Sequence, residues 1–207
     1  MIEYPKIHSI FKRDEKTHKF MAEFSLPEFE YLADNIWQGT EKIDGTNLRI
    51  FWDHEKQIIT FGGRQTIDNQ IPKEILTRMQ ELFPIELLQT VFPDNSVLLF
   101  GEGYGGKIQG MGKYYGYEIK FDLFDVLIGR WWLERRAVFD IASKLKIHAV
   151  PVLFEGTLLE AIEEINNKIK SYFGEFQAEG LVLRPKTELF ARNGRRIITK
   201  IKHKDFL

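Results

Sequence analysis

Six short segments of this 207-residue chain carry side chains able to do chemistry, each beside an apolar run. The first is Glu41-Lys42-Ile43-Asp44-Gly45-Thr46-Asn47, on a turn just before a strand. A lysine amine can attack an electrophilic phosphorus when its surroundings keep part of it neutral. Nearby cations or a metal ion favour the neutral amine, whereas an adjacent carboxylate opposes it. Asp44 therefore fits better acting through a metal or a water than as a bare neighbour. Gly45 permits the tight turn that exposes the lysine, and Asn47 can hydrogen-bond a ribose or nearby backbone. The plainer reading is a charged β-turn containing Asp-Gly, which is common.

The remaining five are individually weaker. Phe61-Gly62-Gly63-Arg64-Gln65-Thr66 joins a glycine pair to a guanidinium that can grip a phosphate with two hydrogen bonds, but most Gly-Gly-Arg runs are plain turns. Phe100-Gly101-Glu102-Gly103-Tyr104-Gly105-Gly106 ends an apolar strand in a carboxylate fenced by glycines. Glu102 could bind a ribose hydroxyl or a metal-bound water. The segment lacks the following helix of a dinucleotide fingerprint, which excludes that reading. Phe121 and Phe124 lie on a β-rich run ending Phe124-Asp125-Val126, where a ring facing a pocket could stack on a purine, although strand aromatics are usually core. Glu179-Gly180 opens another apolar strand. Lys200 and Lys202 share a strand face by alternation, which suits a polyphosphate or a solvated surface equally.

The elements that must position these residues are read from periodicity. Ser25-Leu26-Pro27-Glu28 is a helix start. Asn47 to Trp52 and Gln57 to Phe61 are strands joined by a hairpin loop at 53–56, and Pro72 to Phe83 has helical spacing that Pro84 interrupts. Val97 to Gly101 and Tyr117 to Ile128 are strands. Trp131 to Leu145 reads as an amphipathic helix, Ile147 to Phe154 as a strand, and Thr157 to Phe173 as a helix with a capping box at Thr157 and Glu160. Leu181 to Leu183, Leu189 to Ala191 and Arg196 to Ile201 close the set. This mixture predicts an α+β fold. No linker or repeat divides the chain, so residues 1–207 are expected to form one domain.

Composition permits this chemistry without requiring it. The net charge of −1 argues against a protein that merely coats nucleic acid. Yet eight cations lie between Arg184 and Lys204 against one acid, Glu188, a local balance suited to phosphates. No apolar run reaches the roughly 20 residues needed to span a bilayer, and there is no signal-peptide pattern. Without cysteine there is no disulfide framework or thiolate site. A cytoplasmic protein without a membrane partner is the expectation. His8, His18, His54, His148 and His203 show no metal-ligand spacing, Trp131-Trp132 reads as packing and Arg135-Arg136 as a solvated helix face.

In their order along the chain, the six segments resemble the motif series of the covalent nucleotidyltransferases, the superfamily of DNA ligases, RNA ligases and mRNA capping enzymes. Lys42-x-Asp44-Gly45 resembles motif I, Arg64 the arginine of motif Ia, and Phe100-Gly101-Glu102 motif III. Phe121 to Val126 resembles motif IIIa, Glu179-Gly180 motif IV, and Lys200-x-Lys202 motif V. The resemblance spans Glu41 to Lys202, and within the superfamily it is nearest the RNA ligase 2 type. It implies a nucleotidyltransferase domain of mainly antiparallel sheets with flanking helices. It implies catalysis by Lys42, Lys200 and Lys202, and ATP as AMP donor. Glu41, Asn47, Arg64, Glu102, Phe124, Phe121 and Glu179 would hold the nucleotide, with Phe124 preferred to Phe121 as the adenine stacker. Mg²⁺ or Mn²⁺ would be held by Glu179 with Asp44 or Glu102, and RNA ends, including those at a nick in a duplex, would be joined. Ligases commonly carry a further domain after motif V, whereas this chain stops at Leu207, so the expectation is a minimal ligase, one completed by other chains, or a truncated one. An ATP-dependent DNA ligase core, a GTP-using capping enzyme and a non-catalytic RNA-binding module are the competing readings.

Overall fold

The computed structural model describes residues 2–17, 19–65 and 70–206. The chain falls into two compact units. A lysine unit comprises Pro5–Ile43 and Pro151–Leu207, and a central unit comprises Met1–Tyr4 and Asp44–Val150. The chain enters the lysine unit through β1 (His8–Ser9), β2 (Phe11–Arg13), β3 (Phe20–Phe24), α1 (Pro27–Tyr31) and β4 (Trp37–Glu41). It then builds the central unit from β5 (Thr46–Asp53), β6 (Ile58–Gly63), α2 (Lys73–Leu82), α3 (Ile85–Val91), β7 (Val97–Tyr104), β8 (Lys120–Ile128), β9 (Trp131–Trp132), α4 (Arg135–Lys144) and β10 (His148–Ala149). The lysine unit is completed by β11 (Val152–Gly156), α5 (Leu158–Asn166), β12 (Gly180–Pro185) and β13 (Thr199–Lys202). Helices interspersed with mainly antiparallel strands make the fold α+β, as the sequence predicts.

In the lysine unit the strand order is β1-β13-β12-β4-β11, antiparallel except between β1 and β13, and β2 pairs with β3 apart. Alternation sends Trp37, Leu181, Leu183 and Ile201 to one face, where they pack with Leu158, Ala161 and Ile165 of α5 and Phe29 of α1. Helix α5 starts where its cap requires. Thr157 Oγ1 accepts the Glu160 N–H at 3.3 Å, and the Glu160 carboxylate accepts the Thr157 N–H at 2.7 Å. The Thr157 N–H and the Thr157 hydroxyl, which donates to the same carboxylate at 3.0 Å, hold the Glu160 carboxyl below its ordinary range.

The central sheet runs β10-β8-β7-β5-β6, with β9 on β8. Leu48, Ile50 and Trp52 of β5, Val97 and Leu99 of β7, and Phe121, Leu123 and Val126 of β8 face one core, closed by Ile75 and Met79 of α2 and Val138, Ile141 and Ala142 of α4.

Several expected elements are shorter or differently divided. The helix expected from Trp131 begins only at Arg135, because Trp131 and Trp132 pair with Ile128 and Leu127 as an added strand. The strand expected over 147–154 is two, one parallel to β8 in the central unit and one antiparallel to β4 in the lysine unit. Pro151, which has no N–H to give a ladder, lies between them. The second helix stops at Asn166, well short of Phe173, because Lys168 turns into the left-handed region at φ 62°. Leu189 to Ala191 makes only a single bridge, Phe190 to Arg196. Strands β1 to β3 escaped the periodicity reading because they are short and lack clean alternation.

Candidate active site

In the lysine unit, register builds the site. Leu181 of β12 lies opposite Glu41 on β4 and Ile201 on β13, and Gly180 lies opposite Lys202. The Lys42 N–H extends this ladder by one step, donating to the Gly180 carbonyl at 2.9 Å. Since Trp37 and Gly39 face the core, Glu41 does too. It is 2 % exposed, and its carboxylate accepts from the Ser171 hydroxyl at 2.6 Å and the Tyr172 N–H at 2.9 Å. Lys42 therefore points to the opposite face, the same face that Lys200 and Lys202 reach by alternation against Ile201. Glu179, just before β12, accepts from Lys42 Nζ at 2.5 Å through one oxygen and from Lys202 Nζ at 2.6 Å through the other.

These three side chains are only 12–21 % exposed, so their charges are held where screening by water is weakened. Gly180 is obligatory here. A Cβ on it would meet the Ile201 carbonyl oxygen at 2.0 Å and the Lys202 Cα at 2.8 Å.

In the central unit the register aligns Asn47, Glu102 and Asp122 across β5, β7 and β8. Asn47 Oδ1 is buried without a hydrogen-bond partner, a state that costs free energy until a donor arrives. Asp122, which the motif reading passed over, is 1 % exposed and accepts the Tyr104 hydroxyl at 2.8 Å. Burial pushes its carboxyl upward, partly offset by that hydrogen bond. The signal available in the sequence was a second acid, beside Asp125, in a strand whose other residues after Lys120 are apolar.

Asp44 is engaged by a loop: its Oδ2 accepts the Met111 N–H at 3.0 Å, and its own N–H donates to the Tyr115 hydroxyl at 3.2 Å. Gly45 is needed for close approach more than for turning, since a Cβ would meet the Gly103 oxygen at 2.4 Å. Arg64 is exposed just beyond β6; Thr66 of that segment, like His18, lies outside the described residues.

The two candidate aromatics part company at a bulge. Asp125 opposes Phe100 and Leu123 opposes Gly101, leaving Phe124 as the extra residue. Phe121 is buried in the core, edge-on to Phe83 at 5.3 Å. Phe124 and Asp125 both turn to the other face, where the Tyr4 ring lies 5.0 Å from Phe124 and the Tyr4 hydroxyl donates to Asp125 Oδ2 at 2.5 Å.

The basic C-terminal run is not an open patch. Arg184 and Arg196 are buried, Arg196 pairs with Glu188, Arg195 with Glu28 and Lys186 with Glu155. Trp132 packs on Tyr4 and Phe100, whereas Trp131 is 77 % exposed. Arg135 is half-buried and donates to the Phe124 carbonyl at 3.2 Å, so only Arg136 is the exposed helix residue expected of that pair.

Known proteins resemble this arrangement. A family model described as RNA ligase matches residues 35–202. No curated protein matches the chain. Among solved structures, the Naegleria gruberi RNA ligase with PPi is 20% identical with a TM-score of 0.69, over 99% of this chain and 63% of its own. A variant of the same ligase with ATP and Mn gives 20% and 0.70, over 99% and 59%. Another variant, with AMP and Mn, gives 20% and 0.65, over 97% and 64%. The chain thus spans about three-fifths of the length of these relatives, whose likeness supports the fold. With the family model covering most of the chain across both units, the chain belongs to the RNA ligase family.

Proposed function

We propose that this chain is an ATP-dependent RNA ligase that joins a 5′-phosphate to a 3′-hydroxyl through AMP carried on Lys42. The observation that carries the reading is the pairing of Lys42 and Lys202 on the two oxygens of Glu179, with Lys200 on the same sheet face. The Lys42 amine attacks the α-phosphorus of ATP and pyrophosphate leaves. The AMP then passes to an RNA 5′-phosphate, and the RNA 3′-hydroxyl displaces it. Such transfers depend on in-line geometry and neutralised charge more than on a strong base. Lys200 and Lys202 are assigned to the phosphate oxygens, Arg64 to phosphate or ribose, and Asn47 and Glu102 to the ribose. The orphaned Asn47 Oδ1 supports this, because a ribose hydroxyl is a donor. Phe124 is assigned to the adenine; Phe121 is committed to the core. Glu41 is left only its backbone for that purpose, its carboxylate being bound to Ser171 and Tyr172.

Among the described residues no three Asp, Glu or His side chains form a ready-made metal cage. That fits an ion such as Mg²⁺ or Mn²⁺ that keeps most of its waters, with Glu179 its main carboxylate and Asp44 and Glu102 lesser candidates. When bound, it supplies neutralisation of phosphate charge. RNA ends, those at a nick in a duplex among them, and a cytoplasmic setting complete the reading. Among the described residues no helix is long and apolar enough to cross a membrane.

Intact-mass spectrometry after incubation with ATP and Mg²⁺ tests the reading. A gain of one AMP, reversed by pyrophosphate and absent in Lys42→Ala, is expected; an adduct that persists in Lys42→Ala sinks it. Comparing RNA and DNA 3′-hydroxyls at one nick then tests the substrate, since only RNA offers the 2′-hydroxyl.

A further inference from the structure

Three tyrosines in the loop over 105–119 of the central unit meet three different fates. Tyr115 is 4 % exposed, its ring 5.2 Å from that of Tyr104 and its hydroxyl accepting the Asp44 N–H. Tyr114 and Tyr117, on either side, are 52 % and 99 % exposed. Tyr115 anchors the loop, so its neighbours' rings are not spent on the core. Lys113 Nζ lies 5.1 Å from the centre of the Tyr114 ring, and Lys107 and Lys120 are also exposed. Glu118 is the only acid between Gly105 and Lys120.

The loop is a built structure. The Gly106 N–H donates to the Gly116 carbonyl at 2.8 Å across its base. Gly105 and Gly116 take φ of 93° and 103°, and a Cβ on Gly105 would meet the Glu118 oxygen at 2.2 Å. The Asp44 carboxylate fastens its far side through Met111. Exposed rings interleaved with lysines on a fixed backbone are what single-stranded nucleic acid needs: faces on which bases stack without regard to sequence, and cations for the phosphates between them. The anchor, Asp44, stands two residues along the chain from Lys42.

We propose that this loop is a binding platform for single-stranded RNA at the ends to be joined, with Tyr117 and Tyr114 stacking on bases and Lys107 and Lys113 contacting phosphates. The proposal rests on the RNA reading above, but its test is separate from the lysine chemistry. Binding of a 5′-phosphorylated single-stranded oligoribonucleotide to the full chain is followed by fluorescence anisotropy. The double variant Tyr114→Ala/Tyr117→Ala should raise Kd at least about tenfold, the scale of one or two lost stacking contacts. Tyr114→Phe/Tyr117→Phe, which keeps both rings, should stay within about twofold of wild type. Lys107→Gln/Lys113→Gln should flatten the slope of log Kd against log salt by about 1.4, two phosphate contacts' worth, whereas the alanine pair should leave it unchanged. All should gain one AMP as wild type does.

A Kd for the alanine pair within twofold of wild type overturns the proposal. So does equal loss in the phenylalanine pair, or an effect of the alanine pair on self-association alone, measured by light scattering, which would make the loop a protein interface. A wild type that takes AMP but binds no RNA also overturns it. A wild type that binds RNA through these tyrosines without taking AMP supports the platform and counts against the ligase reading.

Discussion

The two units solve the problem of burying polar chemistry in opposite ways. In the lysine unit, one carboxylate and two ammonium groups from neighbouring strands neutralise one another, and the arrangement follows from backbone register. In the central unit the aligned row Asn47, Glu102 and Asp122 contains no cation, so each group must find its own accommodation. Asp122 takes a tyrosine hydroxyl and is pushed toward its protonated form, while Asn47 keeps an oxygen without a donor. A cluster of mixed sign is complete before a ligand arrives; a row without cations keeps an unfilled valence. The first gathers a nucleophile and charge stabilisers but must release the amine from its carboxylate before it attacks, and the second is suited to recognition.

Five substitutions pull this contrast apart. The largest effects belong to the scaffolds. Trp37 and Trp52 are both fully buried, each with its indole N–H on a backbone carbonyl, of Leu32 at 2.8 Å and Phe92 at 3.4 Å. Alanine at either should cost about 3–5 kcal/mol in urea unfolding. A loss under about 1 kcal/mol at one of them would mean that its core is not the support described.

Next come the sites. Lys202→Ala should slow AMP uptake at saturating ATP by about 10²–10³-fold, as for removal of a group that meets developing charge. Asn47→Ala should act mainly on the ATP concentration required. Measuring uptake across ATP concentrations separates them, and the same pattern for both would erase the distinction between attack and recognition.

The smallest effect is a pH slope. The raised pKa of Asp122 means that the folded state holds its proton more tightly than the unfolded chain. Its contribution to stability is full below the unfolded pKa and is lost as pH rises through the higher folded one. Asp122→Asn removes that loss, so it should gain on wild type as pH climbs from about 4 and level off once Asp122 is ionised. Parallel stability curves between about pH 4 and 8 would show that the carboxyl is not strained by its burial.

Much of this contrast was legible in the residues, although its cause was not. The motif order, the β5–β6 hairpin and the α5 cap depend on local patterns, and local patterns survive folding. The pairing of Glu179 with Lys42, 137 positions away, depends on which strands become neighbours, and no spacing along the chain encodes that. The bulge that separates Phe124 from Phe121 is likewise a property of two strands together. Charge was misleading for the same reason. The run from Arg184 to Lys204 reads as a basic surface until the fold brings in Glu155 and Glu28 and turns its own Glu188 onto Arg196.

Gly180 shows how far such non-local demands reach. It ionises nothing and has no side chain to offer, yet the space where a methyl group would go is filled by the backbone of Ile201 and Lys202. Any other amino acid would pry β12 from β13 beside the carboxylate that both lysines hold. The chain can drift widely over its surface, but at this position its vocabulary is a single letter, set by the thickness of a neighbouring strand and not by any reaction.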